Sequence, residues 1–437
     1  MVIIISIITI IAECVKLNKS KGDEKHPKLQ KEEDASSASD ADGTVLTIGD
    51  ALFLEDTEVL ADDTIYMATI TSIGDVMLHS WQINRGYDSA TDTFDYLEEF
   101  QYVTEYLSHA DFTVANLETT FAGRYNGQST DVHGYADYPC FNSPEVLAEN
   151  LKEAGIDLVG TANNHSLDSW QSGVYSTLDY LDAAGLLHTG TARSEEEQQT
   201  LCIQEINGIK FGFCAYTYSL NGFTVAADQT YSINTLELYS EERLEEMYQQ
   251  VSDLKDAGAD FVLVLLHAGT EYQSLPDENQ ISTIEGLIDA GADVILGSHP
   301  HVIQPMDIRN VTDDDGNSRT VVILYSQGNF VSSQVYRDGI MKDIGMITDI
   351  TFTKQGEDMD ISEVAVAPVY TYWNNEVIGV VPVLEAYNNR DSYDFLSTKD
   401  WSRIEDSYKK TIQTLTYYNT INYTCDGYRY YIIPYNE

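Results

Sequence analysis

The sequence predicts an α/β fold with a mostly β C-terminal extension. Three observations predict it. Short apolar, β-prone runs alternate with segments of helical spacing from Ile65 onward. Five of those runs end on a compact polar motif, and after about Ile347 the helical signal gives way mostly to strands and turns. Ligands bind at the carboxyl ends of strands in α/β sheets, so the position of these motifs carries as much information as their composition.

The elements can be justified in chain order. Val2–Ala12 is apolar, too short to span a bilayer and sized like a signal-peptide core, although no Lys or Arg precedes it. Cys14 follows Ile11-Ala12-Glu13, which loosely resembles a lipoprotein cleavage box with Glu13 where a small residue is expected. Residues 1–14 therefore read as a signal or anchor-like segment, implying export to the cell envelope, membrane-attached or secreted. Lys16–Gly43 is charged and nearly free of large apolar residues, so 15–64 reads as a disordered linker. Its Lys-rich first half suits either an anionic membrane surface or plain solvation.

The folded part is placed at 65–350, with 351–437 completing or packing on the same domain. Ile65–Ile73 is a strand ending at Gly74-Asp75, and Phe94–Leu107 has helical spacing before the strand Phe112–Ala115. Ser143-Pro144-Glu145 offers a capping residue and a Pro at the first helical position, and Gly155 ends that helix. Leu158–Gly160 leads to Asn163-Asn164-His165, and a helix runs from about Val174 to Gly185. Ile203–Ile206 and Ile209–Phe213 flank Asn207-Gly208, the signature of a type I′ hairpin. Ser240–Ala257 and Ile281–Ala290 are helical, separated by the buried strand Phe261–Leu266, which ends at His267. Val294–Leu296 leads into Gly297, and Val321–Tyr325 into Ser326-Gln327-Gly328-Asn329-Phe330. The chain contains 30 Tyr, clustered near its end. They suit sheet surfaces and edges, or a carbohydrate-stacking face.

The chain has 437 residues, ample for a large core, with 24 Lys+Arg against 71 Asp+Glu and a formal net charge of −47. Nucleic acid is therefore not an expected partner, because phosphate backbones bind basic patches. Divalent cations would be attracted, and a polyanion repelled unless cations or a local basic patch intervene. The same charge also reads as a solubility feature of an exported protein. Five cysteines without a CxxC pair argue against a zinc-thiolate site and suggest no disulfide framework.

The motifs are Gly74-Asp75-Val76-Met77, Asn116-Leu117-Glu118, Asn163-Asn164-His165, His267-Ala268-Gly269 and Gly297-Ser298-His299-Pro300-His301. Each alone has a plain structural explanation. Asp75 reads as a turn residue, Glu118 as a cap or surface charge, the Asn pair as a turn, and His267 as a core histidine. His299 and His301 are more specific. Alternate residues of an extended segment point one way, and two imidazoles that close repel when protonated, a conflict that a metal resolves. Together the motifs supply two carboxylates, an amide and four imidazoles at one sheet edge, the ligand chemistry of a two-metal hydrolase site.

On these residues the chain resembles the CapA-type poly-γ-glutamate capsule biosynthesis proteins, which have a metallophosphoesterase (calcineurin-like) fold. The resemblance covers about residues 67–335 and rests on Gly74-Asp75-Val76-Met77-Leu78, Ala115-Asn116-Leu117-Glu118, Ala162-Asn163-Asn164-His165-Ser166-Leu167-Asp168, His267-Ala268-Gly269-Thr270-Glu271-Tyr272, Gly297-Ser298-His299-Pro300-His301-Val302 and Tyr325-Ser326-Gln327-Gly328-Asn329-Phe330. It implies a metallophosphoesterase-like layered β-sandwich flanked by helices. It also implies that Asp75 and His301 hold one metal, that Asn164, His267 and His299 hold another, that Glu118 bridges in place of an Asp, and that His165 protonates the leaving group. General phosphoesterases begin with Asp-x-His, but the third position here is Met77. His79, two residues on, could point the same way. Asp168 and Glu271 stand near these loops as groups that orient histidines, or as solvated or capping residues.

The expected cofactor is one or two divalent ions, Mn²⁺, Fe or Zn²⁺, given the mixed imidazole, amide and carboxylate ligands. The expected function is an exported, membrane-associated role in production of a cell-envelope polymer such as poly-γ-glutamate, through a metal-dependent phosphoesterase-type site. A stand-alone phosphoesterase acting on an envelope-linked or small phosphate ester is one alternative. A non-catalytic partner in a membrane polymer-synthase complex is the other. If the beginning of the chain is only a tether, removing residues 1 to about 43 leaves a soluble, metal-binding protein of nearly unchanged melting temperature. Insolubility of the truncated protein would assign that segment to the fold.

Overall fold

In the computed structural model, residues 64–312, 316–374, 377–418 and 422–433 are described. The apolar segment and charged linker expected within 1–63 lie outside them. In chain order, β1 (Tyr66–Val76) leads through helix α1 (Ser80–Gly86) to a small hairpin of β2 (Tyr87–Asp88) and β3 (Thr93–Phe94). Helix α2 (Thr104–Ser108), strand β4 (Phe112–Leu117), helix α3 (Val146–Glu153), strand β5 (Leu158–Gly160), helix α4 (Trp170–Ala184) and strand β6 (Leu187–Thr189) follow. After the short helix α5 (Glu195–Gln198), the chain builds β7 (Cys202–Ile206), β8 (Ile209–Thr217), α6 (Glu241–Asp256), β9 (Phe261–His267), α7 (Glu278–Asp289), β10 (Val294–Ser298), β11 (Met306–Thr312) and β12 (Ser318–Leu324). It then continues through β13 (Asn329–Val331), β14 (Ile344–Gln355), β15 (Asp358–Trp373), β16 (Ile378–Pro382), α8 (Val383–Asn388), α9 (Thr398–Leu415), β17 (Asn422–Cys425) and β18 (Tyr430–Ile433).

These strands form two large sheets. The first has the order β17-β18-β15-β14-β1-β4-β5-β6, with β13 beside β1 and β16 beside β15. The second has the order β11-β12-β10-β9-β8-β7. One apolar core joins them, with Phe112 of the first sheet stacked on Phe213 of the second at 5.5 Å, and Phe352 edge-on to Phe211 at 4.9 Å. The outer face of the first sheet carries a core shared with α3 and α4, through Leu147, Leu151, Leu178 and Leu181. That of the second carries one shared with α6 and α7, through Met247, Val251, Ile284 and Leu287. This is the layered sandwich flanked by helices that the resemblance implies. The C-terminal strands β15 to β18 extend the first sheet, and α8 and α9 add Val383, Ala386, Ile404 and Leu415 to the core between the sheets. Among the described residues, no helix is long and apolar enough to cross a membrane.

Parallel pairing explains why the motifs share an edge. β4 runs parallel to β1 and β5, placing Asp75 beside Asn116, while β9 runs parallel to β10, placing His267 beside Ser298. β1 is longer than expected and carries Gly74 and Asp75 within its paired length. A Cβ at Gly74 would collide with the Gly328 carbonyl oxygen, so glycine is required where β1 approaches β13.

The hairpin forms as its turn dictates, with Asn207 and Gly208 at φ 51° and 82°. Gly155 and Gly185 end their helices at φ 104° and 71°. Three local expectations change. Phe94–Leu107 is not one helix but a strand end, a 3-10 turn at Leu97–Phe100 and then α2. Asn150 Oδ1 accepts from Tyr96 N at 2.9 Å just before that turn, while Tyr96, Phe100, Val103 and Leu107 keep the buried spacing that resembled a helix. Ser143 does not cap α3. Its hydroxyl pairs with Thr119 Oγ1 at 2.8 Å, and 3-10 bonds to the Pro144 and Glu145 carbonyls precede the helix. Helix α4 starts at Trp170 rather than about Val174.

The C-terminal part is tied down by charge as well as by apolar packing. Arg403 of α9 donates to both Asp343 oxygens, Nη2 to Oδ1 at 2.6 Å and Nε to Oδ2 at 3.2 Å, and both residues are buried. Removing one partner leaves the other charge buried and unpaired, which costs about 3–5 kcal/mol. Arg403→Met should therefore lower stability in urea by about that amount, and adding Asp343→Leu should recover most of the loss. Equal stability of Arg403→Met and the wild type would show that the pair is not holding α9.

Candidate metal centre

The strand edge gathers the chemistry into a buried cluster. Asp75 lies at the end of β1, and its Oδ1 accepts from Asn116 Nδ2 at 2.8 Å. Glu118 is the first residue beyond β4. The two asparagines after β5 divide their work. Asn163 builds the turn, donating to Leu117 O at 2.6 Å and accepting from His165 N at 3.1 Å. Asn164 enters the cluster, its Oδ1 lying 2.9 Å from His267 Nε2. His299 and His301 follow β10 on left-handed backbone, φ 96° and 56°. Such strain at non-glycine residues persists only where surrounding structure over-determines it, and functional sites are its usual setting.

Two ligand-like groups result. Asp75, Glu118 and His301 form one, and Glu118, His267 and His299 the other, with their nitrogen and oxygen atoms within 4.8 Å of one another in each. Glu118 belongs to both. Its Oε1 lies 3.5 Å from His267 Nε2 and 3.7 Å from His301 Nε2. Six of the seven residues expected in the site, Asp75, Glu118, Asn164, His267, His299 and His301, thus converge, and His165 stands beside them.

The fit to a cation can be judged from what these atoms lack. Both Glu118 oxygens, Asp75 Oδ2 and His299 Nδ1 are buried without a hydrogen-bond partner among the described residues. His301 Nδ1 is 3.2 Å from Asp75 Oδ2, but it also hydrogen-bonds Asn329 Oδ1 at 3.0 Å. Buried polar atoms are otherwise almost always paired, so four orphans in one cluster call for a ligand. Burial and then the Asp75 charge push the Glu118 carboxyl well above its usual range. Burial and the neighbouring imidazoles push His267 and His299 well below theirs. Both histidines therefore favour the neutral, ligand form, and a bound metal would favour the ionised Glu118 carboxylate.

Further side chains aim the histidines. Ser298 Oγ meets His267 Nδ1 at 2.8 Å, which turns Nε2 toward Glu118 and Asn164. Asn329 does the same for His301. Tyr218 packs on His299 with ring centroids 4.8 Å apart. The roles of Asn116, Ser298 and Asn329 went unread in the sequence, although all three lie inside the quoted motifs. Tyr218 carries no sequence signal at all. Metal ligands commonly depend on such partners for orientation. Asp168 orients His165, with Oδ2 2.7 Å from Nδ1, and the same oxygen accepts from Phe141 N at 2.6 Å. This leaves His165 Nε2 as the nitrogen for proton exchange. Glu271 is exposed, and its charge bears on the Tyr272 phenol, raising the pKa of that group.

Met77, at the third position of the Asp-x-His pattern, is buried. His79 does not replace it. Its Nδ1 accepts from Ser333 N at 3.3 Å, and its ring packs edge-on to Phe141 at 5.3 Å. Burial holds its pKa down at about 4.

Comparison with known proteins places this arrangement. The profile of the family described as "Bacterial capsule synthesis protein PGA_cap" matches residues 69–334, more than half of the chain. The chain belongs to this family. Capsule biosynthesis protein CapA of Bacillus anthracis is 28% identical over 270 residues, 61% of this chain and 60% of that protein. PGA biosynthesis protein CapA of Bacillus subtilis (strain 168) is 27% identical over 303 residues, 68% of this chain and 72% of that protein. The match thus spans less than two thirds of the B. anthracis relative. A crystal structure of a hypothetical protein from Thermus thermophilus is 15% identical with a TM-score of 0.34, covering 69% of this chain and 97% of that one. Both of these relatives are named for biosynthesis, one of capsule and one of PGA.

A divalent ion in such a cluster lowers the pKa of bound water and offsets charge developing on a phosphoryl group. The chain's own residues would hold the ion, exclude bulk water and, at His165, exchange a proton. The roles that the resemblance implies predict different outcomes for two variants. His165→Ala should keep most of the metal and lose hydrolytic rate, by about 10²–10⁴-fold as for a removed general acid. His267→Ala should lose metal. Equal metal loss in both variants, read by elemental analysis, would remove the distinction.

Proposed function

We propose that this protein serves cell-envelope polymer biosynthesis, of which poly-γ-glutamate capsule is the family's namesake, through a metal-dependent phosphoesterase-type site. Asp75, Glu118 and His301 hold one ion, and Asn164, His267, His299 and the shared Glu118 hold a second where it binds. The observation that carries this reading is the buried cluster in which both Glu118 oxygens, Asp75 Oδ2 and His299 Nδ1 have no hydrogen-bond partner among the described residues. His165, oriented by Asp168, is the proton donor to the leaving group. Residues 1–64 deliver the protein outside the cytoplasm and hold it at the membrane, where a polymer-synthase complex or an envelope-linked phosphate ester is within reach.

Met77 favours a second reading for one of the two positions. With no histidine there, the Asp75 position has fewer protein ligands than a general phosphoesterase offers, so single occupancy suits it. A site of that kind could serve a synthase complex as a structural metal centre without turnover.

Elemental analysis of protein purified without chelator tests both readings. Transition metal should be present, and lost or halved in His299→Ala. Chelation should lower the melting temperature, because an ion at about 100-fold above its Kd stabilises the folded state by about 2.7 kcal/mol. Metal together with turnover of generic phosphoesters supports the catalytic reading. Metal without turnover, with co-purification of a membrane ligase, supports the structural one. Metal-free protein with unchanged melting would exclude both.

A further inference from the structure

A single divalent ion carries only enough charge to match the two carboxylates, Asp75 and Glu118, that face it. Singly loaded, the cluster offers an anionic substrate no net attraction, and the rest of a chain of net charge −47 repels it. Yet a cation is built against the site. Lys342 Nζ lies 4.8 Å from the centroid of the Tyr272 ring, and that ring lies 6.0 Å from the His301 ring. The Lys342 charge also bears on the His79 imidazole. Lys342 thus stands at the rim of the cluster, between the Tyr272 loop and the start of α1. Among the described residues, no carboxylate pairs with it.

Its backbone is fixed even though its ammonium group is not neutralised. The Lys342 carbonyl accepts from Asn329 Nδ2 at 2.8 Å, while Asn329 Oδ1 accepts from His301 Nδ1 at 3.0 Å. One amide therefore joins Lys342 to a metal-facing histidine. The next residue, Asp343, is gripped by Arg403 of α9. Met341 and Ile344, on either side, line a cavity of 490 Å³ together with Tyr272, Val302 and Thr411. Lys342, Asp343 and α9 all lie beyond residues 69–334, the stretch that matches the family.

We propose that Lys342 is a substrate-binding residue that takes a phosphoryl oxygen at the rim of the metal cluster, and that the cavity beside Tyr272 receives the adjoining part of the substrate. This rests on the phosphoesterase reading above. A fixed ammonium at this point supplies an attraction for an anion that the acidic chain otherwise takes away. The C-terminal extension, by clamping Asp343, sets where that charge stands.

Inorganic phosphate is the probe, titrated calorimetrically into the metal-loaded full chain at low ionic strength. Lys342→Gln should weaken phosphate binding by about tenfold or more, the effect of one charge-assisted hydrogen bond. Lys342→Arg should restore most of it. Lys399→Gln, which removes the same charge from an exposed position on α9, should leave it unaltered, and metal content should be the same in all four proteins. Any phosphoester turnover should show the Lys342→Gln change mainly in KM. Equal phosphate affinity in the wild type and Lys342→Gln would overturn this proposal and leave the metal site standing, as would an equal loss in Lys399→Gln. Failure of the metal-loaded wild type to bind phosphate would overturn the proposal and the phosphoesterase reading together.

Discussion

Glu118 is the constraint on which the site depends. Its carboxylate is fully buried, shared by both ligand groups, and accepts no hydrogen bond at either oxygen among the described residues. A fold does not keep such a group without compensation, because an unpaired buried charge costs several kcal/mol. Without a cation, burial and the Asp75 charge favour the protonated Glu118 carboxyl, and burial favours the neutral form of His267 and His299. With one, the same atoms would find the partner they lack. The neighbours Asn116, Ser298 and Asn329 hold Asp75, His267 and His301 in place by hydrogen bonds.

That arrangement requires backbone that few sequences tolerate. His299, His301 and Tyr272 all adopt left-handed φ values, and Gly74 and Gly297 lie where any side chain would strike a carbonyl. At the carboxyl edge of the sheets this strain meets the chemistry. Away from it, the strands are ordinary apolar runs, and α3 and α4 end on glycines in the usual way. The contrast separates the part of the chain that specifies the fold from the part that specifies chemistry.

Much of this was legible in the sequence because parallel strands turn linear order into spatial proximity. Phe261–Leu266 and Val294–Leu296 announce themselves as buried strands, and whatever follows each must share an edge. His267, His299 and His301 could therefore be grouped before any coordinates were known. What the sequence hides is what depends on register between elements far apart. Asn329 reaches His301, and Tyr218 reaches His299, only because separate strands and loops meet there. Ser143 looks like a cap until Thr119 is brought beside it, and Phe94–Leu107 keeps a helical burial pattern on a broken backbone. Lys342 is one lysine in a loop, with nothing local to distinguish it. The division at the start of the chain rests on composition alone.

The two sheets contribute jointly to the cluster. Asp75, Glu118 and Asn164 belong to strand ends of the first sheet, whereas His267, His299 and His301 belong to the second. An ion at their centre is therefore a cross-link between the two halves of the sandwich, bonded to residues as far apart in the chain as Asp75 and His301. It closes a long loop of polypeptide, as a disulfide would, but through ligands that can exchange. An ion held there would tie the two halves together against unfolding, and the supply of metal would then become a control on how long the whole protein lasts.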